Sequence, residues 1–168
     1  MPELPEVHTT VEGLKDLIIG KTIKTVWSDY FVGSRHNDGQ NIKNKKYFTK
    51  FKKIVKNTKI NQVERWGKNI LIHLNNEHTI IVHMKMTGCL MYKKNLQEKY
   101  LHLIFNFSTN DYLLLSDLRK FASVSISKTQ ELSLHERLST LGPDPLDQKL
   151  NAKKFGEIIY HKKNWPIK

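Results

Sequence analysis

The chain has 168 residues, of which 39% are hydrophobic and 26% charged, as expected of one ordinary globular domain rather than a disordered or fibrous protein. Its formal net charge of +12 favours a polyanionic partner, above all a nucleic acid, with an anionic membrane surface as the weaker alternative. The single cysteine, Cys89, excludes an internal disulfide and a cysteine-based zinc site within this chain.

The first predicted elements are a helix, a strand and a loop. Apolar residues at helical spacing predict an amphipathic helix from Pro5 to Ile19, and Gly20 is placed to end it. Residues 21–27 alternate polar and apolar side chains, which is typical of a half-buried strand. Residues 30–41 contain glycine, asparagine and aspartate and are therefore predicted to be a loop.

A second helix is predicted between residues 44 and 55, where apolar side chains again recur at helical spacing. Residues 43–59 contain eight lysines and no acid. This basic segment is either the solvated face of an amphipathic helix or a phosphate-binding surface, and the pattern leaves both interpretations open.

After the second helix the pattern is mainly that of strands. Short polar turns at 75–77 and 109–111 are typical of hairpins. Many short strands with turn signals indicate an antiparallel β-sandwich or barrel. The predicted strands are residues 60–66, 70–74, 79–84, 101–107, 112–116 and 122–126.

The last segment is predicted to contain a rigid proline-rich loop and a final helix. The loop is LeuGlyProAspProLeu at 141–146. Asn151 can cap the helix, with Phe155, Ile158 and Ile159 on its buried side. No apolar run reaches the length of a membrane-spanning helix and no signal-peptide pattern opens the chain, so we expect a cytoplasmic, nucleoid-associated protein.

The N-terminal sequence carries a candidate nucleophile. The residue after the initiator Met1 is small, so removal of Met1 is expected to leave Pro2 with a free secondary amine. An N-terminal amine has a reference pKa of about 7.7 to 8, so part of it is neutral and can form a Schiff base with an aldehyde-like carbon. Glu3 and Glu6 are close enough to act as acid or base, although acids in a first helical turn also interact favourably with the helix dipole.

Five segments occur in an order that makes chance a poor explanation. They are MetProGluLeuProGluVal (1–7), TrpGlyLysAsnIleLeu (66–71), HisMetLysMetThrGly (83–88), AspLeuArgLysPhe (117–121) and LeuGlyProAspProLeu (141–146). Together they resemble the motifs of the formamidopyrimidine-DNA glycosylase family, base-excision repair enzymes related to endonuclease VIII. The resemblance covers nearly the whole chain.

The resemblance implies four catalytic residues. Pro2 matches the nucleophile that attacks C1′ of a damaged nucleotide, and Glu3 matches the glutamate that protonates the sugar ring oxygen. Glu6 matches an acid with a supporting role. Lys68 matches the lysine that approaches the phosphate or the damaged nucleotide, although by pattern alone it is a lysine at the start of a strand, facing water.

The resemblance also implies four DNA-binding residues. His83 matches a histidine that contacts a DNA phosphate. Met86, Arg119 and Phe121 match the trio that fills the gap left by the flipped nucleotide, a role suited to an apolar wedge, an aromatic ring and a guanidinium. By pattern alone Met86 and Phe121 are core residues and His83 an ordinary strand residue. Asp117 matches an aspartate that holds the loop rather than reacting.

Four positions depart from the family pattern. His8 stands in place of an acid, Lys85 and Ala122 in place of glycines, and Leu118 in place of a proline. Lys85 adds a charge beside the wedge, which either strengthens phosphate contact or disturbs insertion. These departures affect the expected damage preference more than the fold.

The resemblance implies a mainly β fold with flanking helices, an antiparallel β-sandwich in which the N-terminal helix carries the nucleophile. Residues 1–150 are expected to form this catalytic domain, and residues 151–168 a helix and the start of a connection. The family's second half, a helix-two-turn-helix module and zinc finger, has no counterpart in the sequence. The chain is therefore expected to be an excised domain or a naturally short protein, with excision favoured.

The expected function is that of a DNA glycosylase with abasic-site lyase activity, by β,δ-elimination, on oxidised purines such as 8-oxoguanine and formamidopyrimidines. Damaged double-stranded DNA is the expected partner of a monomer. No cofactor or metal is expected in this chain, because a structural zinc would belong to the absent half. The alternatives are a non-catalytic DNA-binding fragment and a small basic RNA-binding or ribosome-associated protein.

Overall fold

The computed structural model describes residues 2–32, 40–144, 147 and 150–161. Parts of three predicted segments lie outside these ranges, namely 33–39 of the first loop, Pro145 and Leu146 of the proline-rich loop, and 162–168. None of the helices in the described ranges is long and apolar enough to cross a membrane. The elements are α1 (Leu4–Ile18), β1 (Thr22–Ser28), α2 (Lys45–Val55), β2 (Thr58–Trp66), β3 (Asn69–Leu74), β4 (His78–His83), β5 (Gly88–Lys93), β6 (Leu101–Phe107), β7 (Tyr112–Asp117), β8 (Ser123–Lys128), a 3-10 helix (Thr129–Leu134) and α3 (Ala152–His161).

Both predicted N-terminal helices are confirmed. The buried side chains of α1 recur every three or four residues, and Gly20 follows the helix with a φ of +86°, which glycine adopts without strain. Helix α2 begins after Asn44, whose side-chain oxygen accepts a hydrogen bond of 3.1 Å from the backbone N–H of Tyr47. Its buried face carries Phe48 and Phe51, so its lysines are left on the exposed side.

The eight strands form one antiparallel sheet in the order β5-β7-β6-β1-β2-β3-β4-β8. Strands β1 and β2 join its two four-stranded halves through only two register pairs, Thr22 with Lys59 and Ile23 with Thr58. Buried residues of both halves belong to one hydrophobic cluster together with those of α1 and α2. The predicted antiparallel β-sandwich with flanking helices is therefore confirmed.

All six strands predicted after the second helix are present, but β5 was missed. This strand lies at the edge of the sheet, and only Gly88 and Leu90 of its six residues are buried. Its sequence therefore lacks the clear alternation that marks a half-buried strand. The 3-10 helix after β8 was also missed, since such short helices have weak sequence signals.

A second, smaller hydrophobic cluster covers the outer face of β3 and β4. Leu132 and Leu138 pack there against Leu71 and Ile81, with Trp66 at the margin. The chain that follows β8 is therefore folded back over the sheet. This packing brings residues near 137–141 to the turn between β2 and β3.

The predicted cap of the last helix is confirmed, but its predicted burial is wrong. The Asn151 side-chain oxygen accepts a hydrogen bond of 2.9 Å from the Lys154 backbone N–H. Phe155 is 53% exposed and Ile159 48% exposed, while Ile158 is half-buried. Helical periodicity identifies the apolar face of a helix, but it does not show whether another element covers that face.

Candidate active site and nucleic-acid interface

The start of α1 brings together the four residues predicted to be catalytic. The backbone N–H of Glu3 donates a hydrogen bond of 3.0 Å to the Glu6 carboxylate. The Glu3 carboxylate forms an ion pair with the Lys68 ammonium. Pro2 is half-buried and lies one peptide unit, about 3.8 Å between Cα atoms, from Glu3. Glu6 therefore positions the backbone at the helix start, while Glu3 and Lys68 lie at the site itself.

The turn that presents Lys68 requires a glycine before it. Gly67 has a φ of +59°, and a Cβ at this position would lie 3.0 Å from a methyl carbon of Leu141. Arg65 donates one hydrogen bond of 2.9 Å to the Gly67 carbonyl and another of 2.7 Å to the Asp144 carboxylate. The segments around 66–71 and 141–144 thus contact each other and fix the turn.

An open cleft of about 600 Å³ lies beside the turn and is lined by Lys68, His83 and Arg137, among others. Burial, together with the positive charges of Lys85, Arg137 and Lys68, lowers the pKa of His83 to about 4. Its Nδ1 accepts a hydrogen bond of 3.1 Å from the Lys85 backbone N–H. The imidazole is therefore neutral near pH 7 with its proton on Nε2, which makes it a hydrogen-bond donor.

Met86, Arg119 and Phe121 lie together on the surface. Met86 is 45% exposed and Phe121 42% exposed, so the core interpretation of these two residues is wrong. The Arg119 guanidinium carbon lies 4.4 Å from the centre of the Phe121 ring, and an Arg119 guanidinium nitrogen lies 3.5 Å from the Met86 sulfur. Two apolar side chains and a guanidinium thus form one exposed cluster, which we call the wedge.

A buried carboxylate holds the two loops that carry the wedge, one between β4 and β5 and the other between β7 and β8. Asp117 accepts hydrogen bonds from the Thr87 hydroxyl at 2.5 Å, the Tyr30 hydroxyl at 3.1 Å and the Ala122 backbone N–H at 2.7 Å. The Thr87 hydroxyl in turn accepts a hydrogen bond of 3.2 Å from the Arg119 backbone N–H. Burial and the nearby carboxylate raise the pKa of Tyr30, so its hydroxyl remains a donor. The predicted structural role of Asp117 is confirmed.

The departures from the family pattern differ in their structural consequences. Lys85 has a φ of +56°, a left-handed conformation that glycine adopts freely and that strains a lysine. Ala122 is buried and does not have a positive φ, so an alanine fits there. Leu118 and His8 are exposed and affect no packing in the core.

Two basic residues of the site were not identified from the sequence. Arg137 lines the cleft, and the Lys43 ammonium donates a hydrogen bond of 3.2 Å to the Phe121 carbonyl. Burial lowers the pKa of Lys43, and the Asp117 carboxylate acts in the opposite direction. The positive charges of Arg137 and Lys85 add to the lowering of this pKa. Neither residue belongs to a motif in this lysine-rich chain, and only the fold brings them to the site.

The family model of the formamidopyrimidine-DNA glycosylase N-terminal domain matches residues 1–124 of the chain. The formamidopyrimidine-DNA glycosylase of Oceanobacillus iheyensis is 33% identical over 161 residues, which cover 95% of this chain and 54% of the relative. That of Bacillus cereus is 31% identical over 170 residues, with coverages of 100% and 58%.

Solved structures match as well. A crystal structure of the Lactococcus lactis formamidopyrimidine-DNA glycosylase, non-covalently bound to DNA containing an abasic site, is 25% identical with a TM-score of 0.75. The match covers 96% of this chain and 57% of that one. The chain thus spans about half the length of the relatives that it matches.

Proposed function

The chain belongs to the formamidopyrimidine-DNA glycosylase family, and from this premise we propose that it acts in base-excision repair as a DNA glycosylase with abasic-site lyase activity. Its substrates are oxidised purines in double-stranded DNA, such as 8-oxoguanine and formamidopyrimidines. The reaction passes through a Schiff base at Pro2 and ends in β,δ-elimination. The protein acts as a monomer on damaged DNA.

The observation that carries this proposal is the exposed wedge. Core packing normally buries methionine and phenylalanine, yet Met86 and Phe121 are exposed and in contact with Arg119. A fully buried Asp117 accepts hydrogen bonds from both of their loops, so the exposed side chains stand on a hydrogen-bonded support. Such a cluster suits insertion into a duplex, where it replaces the stacking and hydrogen bonds of a flipped nucleotide.

The chemistry begins at the N-terminal amine. The neutral Pro2 nitrogen attacks C1′ of the damaged nucleotide, the glycosidic bond breaks, and the base leaves with the bonding electron pair and takes up a proton. The Pro2 nitrogen loses its proton to the Glu3 carboxylate, and Glu3 then delivers this proton to the sugar ring oxygen, which opens the ring. The product is an iminium, which is cationic without needing a further proton.

The iminium then acidifies the proton at C2′. Loss of this proton expels the 3′ phosphate, and a second elimination expels the 5′ phosphate. Glu3 moves these protons, a role supported by its position next to Pro2, and Lys68, its ion-pair partner, stabilises the negative charge of a phosphate. His83 donates from Nε2 to a phosphate oxygen without adding a charge.

A second candidate function is DNA binding without turnover. The chain spans 54% and 58% of the length of the first two relatives, and its described surface offers the wedge and the basic cleft as contacts to a duplex. Base flipping costs a few kcal/mol, which these contacts must offset. We therefore expect weak excision from a duplex but efficient Schiff-base formation on a preformed abasic site.

Borohydride trapping on abasic-site DNA tests the proposal. We expect a covalent adduct at the N-terminus, located by intact mass and peptide mapping, and much less adduct with Pro2→Gly. Intact mass of the free protein first establishes that Met1 has been removed. If the processed protein binds the DNA but forms no adduct, the chain is a DNA-binding module and not a lyase.

A further inference from the structure

We propose that Arg137 is a DNA-phosphate ligand of the cleft, binding together with Lys68 and His83 a phosphate next to the damaged nucleotide. The inference rests on the proposed function and adds to it a contact supplied by the segment after β8. Arg137 lies beyond residues 1–124, the part of the chain that the family model matches.

The position of Arg137 is fixed by its neighbours. The next residue, Leu138, is buried in the cluster on the outer face of β3 and β4. The Arg137 backbone N–H donates a hydrogen bond of 3.3 Å to Nδ1 of His135. The other ring nitrogen of His135 lies 3.1 Å from the Ser125 hydroxyl on β8. The side chain of Arg137 is thus presented to the cleft by a backbone attached to the sheet.

The three basic residues of the cleft differ in how their charge is compensated. Lys68 is ion-paired with Glu3, and His83 is neutral near pH 7. Among the described residues, Arg137 forms no ion pair, although Glu136 also lines the cleft. The guanidinium of Arg137 is therefore a positive charge in the cleft that is not paired with a carboxylate of the described residues.

The cleft has the electrostatic character of an anion-binding site. The positive charge of Arg137 contributes to the lowered pKa values of His83, Lys85 and Lys43, so it repels the charges of Lys85 and Lys43 and disfavours a charge on His83. A bound phosphate would remove that repulsion. A guanidinium offers it two parallel hydrogen bonds, while the His83 Nε2–H and the Lys68 ammonium supply single donors.

The test compares variants on duplex DNA containing a stable abasic-site analogue, as a function of salt. For Arg137→Ala we expect affinity to fall about tenfold and the slope of log K against log salt to fall by about 0.9, the value for one lost phosphate contact. Arg137→Lys should recover the slope but only part of the affinity. Lys24→Ala, which removes an exposed lysine on β1, is the matched control for net charge.

Neutral methylphosphonates, introduced one at a time around the lesion, then locate the contact. At one position the effects of Arg137→Ala and Lys68→Ala should both disappear, whereas the small effect of Lys24→Ala should persist. Thermal unfolding of each variant controls for folding. Equal effects of Arg137→Ala and Lys24→Ala, or an Arg137 effect that no methylphosphonate removes, would overturn the inference. Failure of the unaltered protein to bind this DNA would instead refute the proposed function and the inference together.

Discussion

Replacing Asp117 by Asn tests whether the buried carboxylate supports the wedge. Asp117 accepts three hydrogen bonds, and an amide oxygen can replace the carboxylate toward only some of these donors. One buried donor then faces an NH₂ group, which costs about 1–3 kcal/mol, and the remaining bonds weaken because the acceptor is neutral. We expect the free energy of unfolding to fall by about 3 kcal/mol, measured by urea denaturation.

Asp117→Asn should weaken binding to duplex DNA without affecting the reaction on single-stranded DNA. Loosening the loop misplaces Arg119 and Phe121, so binding to a lesion-containing duplex should weaken at least about tenfold. Single-stranded abasic DNA has no opposite strand and therefore no duplex gap for the wedge to fill. The yield of borohydride-trapped adduct on it should therefore stay within about twofold of the yield with the parent protein. The Asp117→Asn variant therefore separates the wedge from the chemistry at Pro2.

Asp111→Asn provides a matched control for the loss of stability. Asp111 is also buried and accepts side-chain hydrogen bonds from Lys21 at 2.7 Å, Tyr92 at 2.6 Å and Thr109 at 2.7 Å. It precedes β7, whereas Asp117 ends it, so the two carboxylates are about 20 Å apart. Similar destabilisation with unchanged duplex binding is expected. Equal loss of duplex binding in both variants, or an Asp117→Asn variant as stable as the parent, would refute the reasoning.

Three further predictions concern local features. Lys85→Gly should raise the free energy of unfolding by about 1 kcal/mol, because glycine adopts the left-handed backbone conformation of this position without strain. Glu77→Gly, at a φ of +61°, is the control, because it removes the same backbone strain at a position away from the wedge. Asn44→Ala removes the side-chain cap of α2 and should cost about 1 kcal/mol in urea denaturation. Since the folded-state pKa of His83 lies below that of the unfolded chain, its contribution to stability should be lost as pH falls from about 6.5 to 4. His83→Gln should abolish that part of the pH profile, and an unchanged profile would contradict the lowered pKa.

Local patterns were sufficient to predict most of the elements. The four apolar residues of α1 and the aromatic residues of α2 repeat at the period of a helix, and Gly20 and Asn44 mark ends that follow from backbone geometry alone. The hairpin turns at 75–77 and 109–111 were predicted for the same reason. Edge strand β5 was missed because it is buried too little to impose a pattern on its sequence.

The order of the five motifs was enough to identify the family and, with it, to predict roles for Pro2, Glu3, Lys68 and the wedge residues. The residue pattern by itself assigned Met86 and Phe121 to the core, and it placed the apolar face of α3 against a neighbour. Both assignments are wrong for one reason. Hydrophobic periodicity records what a segment could bury, and burial itself depends on which surfaces meet.

Tertiary structure alone decided how the charges of the site combine. Lys43, Lys68, Lys85 and Arg137 are far apart in the sequence, and the folding of the segment after β8 over the sheet places Arg137 beside the other three. Electrostatic interactions depend on distance in space and on burial, neither of which is encoded at a fixed sequence spacing. The sequence by itself therefore determined most of the elements and the family, and it predicted Pro2 as the nucleophile. The cleft, with a guanidinium that forms no ion pair among the described residues, exists only in the folded chain.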